Sequence, residues 1–172
     1  FAHAFFRRIT VKCGGVTVSD EDYANRVAHM MYEFAPKAKR DNLAIMTGER
    51  GTVIESSKTF GIPILAPLFM QDKYLPLNFM TCQISFELVD SVLDVMLPTA
   101  SLPAGVTGQA TAFHIEEPVL LGSLVTLDSG LANSYSDFLL KGKSLSIPMV
   151  ATSSAPQVVT SGAGGFQVAM TR

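Results

Sequence analysis

The sequence predicts an all-β domain: a jelly-roll β-sandwich of about eight strands with two short helices in its connections. Three observations point there. Residues 80–88 alternate without a break, with Met80, Cys82, Ile84, Phe86 and Leu88 apolar and Thr81, Gln83, Ser85 and Glu87 polar. That is the period of a strand with one face in a core and one face wet. Further short β-rich stretches recur between Gly- and Pro-containing breaks. Helical periodicity appears only twice, each time in a connection, as a jelly roll allows.

The elements follow in chain order. FFRRITVKC (5–13) is β-rich, Gly14 and Gly15 turn it, and VTVS (16–19) returns. The period then changes. Tyr23, Val27, Met30, Met31 and Phe34 lie on one face of a helix over 19–36. Ser19 is the expected cap, with Asp22 three residues on, Asp20, Glu21 and Asp22 at the positive end of the helix dipole, and Pro36 as the stop. Residues 37–52 read as a polar connection with at most a frayed turn. TVIES (52–56) suits a short strand, and KTFGIPILAP (58–67) a bent or edge strand. Pro76 gives a stiff entry to the strand at 80–90, and 91–105 is a loop. QATAFHIEE (109–117) and VLLGSLVTLD (119–128) are β-like on either side of Pro118. The second helix spans 129–142, with Leu131, Tyr135, Phe138 and Leu139 on one stripe, Asp128 or Ser129 as cap and Gly142 as terminator. SLSIPMVA (144–151) and FQVAMTR (166–172) complete the strands around a Ser/Gly/Ala/Pro loop at 152–165.

The totals narrow the function. The chain has 172 residues, is 48% hydrophobic and only 16% charged, well below the ~25% of an average soluble domain. A chain so weakly charged suits a surface largely covered by partners. Net charge is −2 and the one basic cluster is KAKR at 37–40, which argues against nucleic-acid binding through a basic patch. The longest apolar run, 61–70, is far short of a membrane helix. Cys13 and Cys82 form no disulfide scaffold and read as buried thiols. The chain opens on Phe1 and closes on a strand pattern still in progress, so we read it as a piece of a longer polypeptide.

Candidate chemistry is sparse, and the expectation is no enzyme, no catalytic residue, no cofactor and no metal. GKS at 142–144 lacks the earlier glycine of a phosphate loop and precedes a strand pattern, so it reads as a helix terminus and a surface lysine. GAGG at 162–165 likewise offers no helix N-terminus to a phosphate. His114 and Glu116 share one strand face, but a jelly-roll metalloenzyme of the cupin type needs a close histidine pair as well, and that pair is missing. A Cys/His couple would require Cys13 or Cys82 to meet His29. The carboxylate pairs Glu116–Glu117 and Asp20–Asp22 read as solvated faces. Met30, Met31, Met70 and Met80 read as core filling rather than as an adaptable binding face.

Two long stretches carry more than pattern. KYLPLNFMTCQISFELVD (73–90) resembles a segment of the double jelly-roll major capsid proteins of polinton-like viruses, virophages and adintoviruses, in which a Lys-Tyr-Leu-Pro-Leu entry leads into an alternating strand. TLDSGLANSYSDFLLKGKSLSI (126–147) is similar to a second landmark of that family, an aspartate-opened helix followed by Gly-Lys and a strand. Tyr23, Asn25 and Arg26 fit the early order. Residues 91–108 and 151–165 match nothing in the family. The resemblance implies that 1–172 is a single jelly-roll domain, the first of a longer double jelly-roll protein. It further implies a structural role in the virion, assembled inside the host cell, as homotrimeric, pseudo-hexameric capsomers of an icosahedral dsDNA virus shell. The expected partners are copies of itself, neighbouring capsomers, and penton and minor capsid proteins, with no sequence-specific nucleic-acid contact and no membrane span. Pro63, Pro67 and Pro76 would then guard exposed strand edges. The alternative reading is a carbohydrate- or receptor-binding β-sandwich. A jelly-roll metalloenzyme and a single jelly-roll capsid protein of a small virus are further readings.

Overall fold

The computed structural model describes residues 2–48, 57–96 and 110–152, together with 154, 157, 159, 161, 162, 165 and 167. Its centre is one antiparallel sheet of three strands, β1 (Phe6–Cys13), β2 (Val16–Asp22) and β3 (Cys82–Leu88), in the order β2-β1-β3. β1 and β2 form a hairpin. Cys13 pairs with Val16 across Gly14 and Gly15, whose φ angles of 56° and 83° are the left-handed values that a primed two-residue turn requires. Ile9, Val11 and Cys13 stand opposite Phe86, Ile84 and Cys82 of β3, so the apolar residues of both strands share one face. Arg8, Thr10 and Lys12 stand opposite Glu87, Ser85 and Gln83 on the other.

A bulge decides which acidic residues of β2 meet water. Val11 pairs with Ser19 but Lys12 with Thr17, which leaves Val18 as the extra residue. Each β2 residue beyond Val18 is thereby moved to the face opposite the one simple alternation would give it. Glu21 lands beside Ile9 and is buried, whereas Asp20 and Asp22 are brought to the Arg8 side.

The apolar face is covered by a short stretch of chain. Ala66 and Leu68 are buried at a 3-10 turn, Pro67–Phe69, and form the core with Ile9, Val11 and Ala24. Ile64, Phe69, Leu75 and Ile147 pack around it. Val11 is fully buried.

Helix α1 (Ala24–Phe34) leaves β2 through Tyr23, which takes a left-handed φ of 55°. The Asp22 Oδ1 accepts the Tyr23 N–H at 3.0 Å and fixes this corner. Small residues face inward, Ala24 and Ala28, so the helix lies close to β1 and to the 3-10 turn Ala2–Phe5. Helix α2 (Lys37–Thr47) follows Pro36, which cannot continue α1. The two are tied by the Tyr32 hydroxyl donating to the Arg40 carbonyl (3.2 Å) and by the Arg40–Glu33 ion pair (3.5 Å). Helix α3 (Ser129–Leu140) comes after a long irregular stretch.

This architecture corrects the sequence expectation. Among the described residues helix outweighs strand, 32% against 16%, and three strands in one sheet are not an eight-stranded jelly-roll sandwich. The physical reason lies in pairing. Residues 110–128 and 144–151 carry β-type composition but lie unpaired, nearly all exposed, interrupted by Pro118, Pro148 and a left-handed Glu117 (φ 48°). A strand without a neighbour has no ladder to satisfy it. Residues 58–66 are not a strand either, and Pro67 begins a buried turn rather than guarding a sheet edge. The strands expected at 52–56 and 166–172 fall outside the described residues, apart from the isolated Gln167. The first helix also starts later than expected. Ser19 through Asp22 belong to β2, so Ser19 caps nothing. The connection after Pro36 is a helix, where a frayed turn was expected.

Shortening the fully buried Val11 side chain tests this core. Val11→Ala should lower the unfolding free energy by about 2 kcal/mol. Val16→Ala, at an exposed position of the same sheet, should change it by less than about 0.5 kcal/mol in the same denaturant titration.

Candidate assembly surface

The features that call for a functional explanation are apolar and exposed. Val119, Leu120, Leu121, Leu124, Val125 and Leu127 lie in the irregular stretch before α3, with Leu121 and Leu124 88% and 87% exposed. Consecutive exposed leucines are unfavourable in water unless something covers them.

Helix α3 continues the run. The Asp128 Oδ1 accepts the Leu131 N–H at 2.7 Å, as expected of its cap. At the other end Gly142 takes φ 73°, its N–H donates to the Leu139 carbonyl and the Lys143 N–H to the Phe138 carbonyl. This is a Schellman closure, and it is what GKS 142–144 does: it ends a helix, with Lys143 lying 5.2 Å from the Phe138 ring. Yet α3 buries no residue, and Leu131, Tyr135, Phe138 and Leu140 are exposed. A twelve-residue helix with good caps is marginal on its own in water. Its specified ends and uncovered stripe together fit a surface completed by another molecule. On α1 and α2 the same holds of Phe34 and Ile45, which are 83% and 86% exposed. The apolar stripe read from Tyr23 to Phe34 is therefore not the packed face of α1; Ala24 and Ala28 are, and Met30 is exposed.

Beside this apolar surface the open face of the sheet is ionic. Arg8 grips Asp20 with two hydrogen bonds, Nε to Oδ1 at 2.7 Å and Nη2 to Oδ2 at 2.5 Å, and Thr10 donates to the same carboxylate at 3.1 Å. The guanidinium holds the Asp20 carboxyl below its usual range. Arg7, bulged out between β1 and β3, reaches Asp90 at 3.0 Å and Asp22 at 3.7 Å. Arg26 lies over the Tyr23 ring at 5.0 Å. Arg7 and Arg8 are thus neutralised by their own carboxylates and are not offered to an anion.

The sequence-selected residues do not converge on chemistry. The His114 Nε2 and Glu116 Oε1 are 3.0 Å apart, but both side chains stand in solvent, and no cluster of three or more metal-ligating side chains occurs among the described residues. His29 on α1 lies 6.2 Å from His3, ring to ring. Burial, with His29 nearby, lowers His3 to about 4. The cysteines are at the other end of β1, roughly 20 Å of strand away, so Cys13 and Cys82 do not meet His29. A groove of about 690 Å³ between 88–93 and 110–113 is open and shallow, and its aromatic residue, Phe113, stacks edge-on against Phe5 at 4.8 Å. Of GAGG, Gly162 lies in a turn with φ 88°, and Ala163 and Gly164 are outside the described residues. No described helix is long and apolar enough to cross a membrane.

One buried ionisable group was missed from the sequence. Glu21 is 3% exposed, and the Thr152 hydroxyl donates to its Oε1. The Ser154 hydroxyl donates to the Asp22 carbonyl at 2.5 Å, so Thr152 and Ser154 both dock on β2. Only the bulge at Val18, which leaves no mark in composition, places Glu21 inward. Comparison with protein-family models, curated proteins and solved structures returned no match.

Burial raises the Glu21 carboxyl above its ordinary 4.5, opposed by the Thr152 hydrogen bond. The folded chain therefore binds this proton more tightly than the unfolded chain. The stability it contributes is present in full below pH 4.5 and lost as pH rises through the raised value. Glu21→Gln should accordingly be more stable than the parent at about pH 7, with the advantage shrinking toward about pH 4, in paired denaturant titrations. Thr152→Val, which leaves the carboxylate without its donor, should cost about 1–3 kcal/mol at neutral pH.

Proposed function

We propose that the chain is a structural protein that works by assembling with copies of itself, as a major capsid protein forming homotrimeric capsomers of an icosahedral dsDNA virus shell. The observation that carries this reading is the capped but unburied helix α3 together with the exposed leucines that precede it. Two further facts support it. The charged fraction is low, and 73–90 and 126–147 resemble, in order, two landmarks of double jelly-roll capsid proteins. The second landmark coincides with the exposed helix. Self-assembly through this surface requires no jelly roll among the described residues.

Magnitudes favour covering this surface. Burying a leucine or valine that is now in water is worth about 1.5–3 kcal/mol. Six such residues at 119–127 supply on the order of 10 kcal/mol, comparable to the ~4–15 kcal/mol that association costs in lost freedom. With α3 added, the balance favours a bound state. In a three-fold ring each contact is heterologous, so this apolar surface meets a different patch on the next copy and the ring closes after three.

Sedimentation velocity across a concentration series tests the reading. The parent should pass from monomer to trimer below roughly 100 µM, a threshold of about 5.5 kcal/mol for each added subunit. Leu121→Asp with Leu124→Asp should stay monomeric with unchanged far-ultraviolet circular dichroism, because neither side chain is packed within the single chain. A parent that remains monomeric throughout would overturn the proposal.

A further inference from the structure

We propose that Cys13 and Cys82 are a redox site, a dithiol that closes to a cross-strand disulfide and clasps the end of β1 to β3. The two residues are direct partners in the sheet register, although 69 positions separate them in the chain. Their sulfurs are already in contact, Sγ to Sγ at 3.9 Å. The Gly14 N–H donates to the Thr81 carbonyl at 3.0 Å, one residue outside the pair on each strand. Cys13 and Cys82 are therefore a pair without mutual ladder bonds, the kind in which Cα atoms approach to about 4.5 Å. Disulfides span Cα separations of about 4.4–6.8 Å, so side-chain rotation is enough to bring the sulfurs to bonding distance and no strand has to move.

Access comes from the end of the sheet. Gly14, Gly15, Val16 and Thr81 beside the pair are all exposed, while the thiols themselves are half-buried at the margin of the Ile9–Val11 core. A small disulfide of the glutathione class is the oxidant. One protein thiolate attacks a sulfur of that reagent, a mixed disulfide forms and one small thiol leaves. The second protein thiolate then attacks the protein sulfur of the mixed disulfide, the protein S–S bond forms and the second small thiol leaves. The protein loses two thiol protons and two electrons, and the reagent is reduced to two thiols. Burial and the Cys13 sulfur raise the Cys82 thiol, so closure is faster at alkaline than at neutral pH. The bridge spans a long loop and so restricts the unfolded chain.

The test is equilibration of the native full chain in glutathione buffers of graded redox potential, followed by acid quench, alkylation, intact-mass measurement and thermal unfolding. The expected result is a monomolecular product lacking two hydrogens and both free thiols, with a higher Tm than the dithiol form, reversed by reduction. Cys13→Ser and Cys82→Ser should each stop at the mixed disulfide. Stable glutathione adducts on the unsubstituted chain, chains linked to one another, or thiols that react only after denaturation would each overturn the inference.

Discussion

Val11 is out of contact with water because β1 has a neighbour on both edges and a roof of Ala66 and Leu68 on one face. That double pairing is the constraint on which the rest depends. The Gly14–Gly15 turn delivers β2 locally, at little entropic cost. β3 must come from about 70 residues away, and a loop of that length costs more to close. The packing of Ile9, Val11 and Ala24 under the 66–68 turn, with Ile84 and Leu75 at its margin, offsets it together with the β1–β3 ladder and the Arg7–Asp90 pair. The Val18 bulge shifts the register of β2 against β1, and so sends Glu21 inward and Asp20 outward to Arg8.

The parts of the fold that were legible in the sequence are those whose signal is local. The alternation at 80–88 marked β3, the Gly-Gly pair marked the hairpin, and Asp128 with Gly142 marked both ends of α3. The parts that were not legible depend on neighbours. Residues 119–127 and 144–151 have the composition of strands, but composition cannot say whether a partner ladder exists, and among the described residues none is provided. Ser19 with Asp22 imitates a capping box, yet the cross-strand pairing of 16–22 with β1 overrides it. Helix α2 escaped because its first half, charged at Lys37, Lys39, Arg40 and Asp41, carries no apolar stripe. Its high-propensity residues and the Lys37–Asp41 pair one turn apart, 3.1 Å in the structure, were the available clues.

The exposed apolar surface does not lie where the sequence reading placed it. Low charge and scarce chemistry pointed to a covered surface, and the exposed apolar residues lie on an irregular leucine-rich stretch and an uncovered helix instead of on the outer faces of a sandwich. The polar face of β3, Gln83, Ser85 and Glu87, is opposite Lys12, Thr10 and Arg8, and the arginine charges there are satisfied within the sheet and its flanks. The ion pairs of Arg7 and Arg8 thus tie strands together, while the exposed leucines at 119–127 take no part in holding the sheet.

Residue-resolved amide hydrogen exchange on the isolated monomer tests the central claim most directly. With β1 paired on both sides, the amides of Ile9–Lys12 should exchange slowest in the chain, followed by those of β3, while 119–127 exchange at nearly the rate of free peptide. Slow exchange throughout 119–127 and 144–151, equal to that of β1, would mean that those segments are paired strands after all and would contradict a fold organised around a single three-stranded sheet.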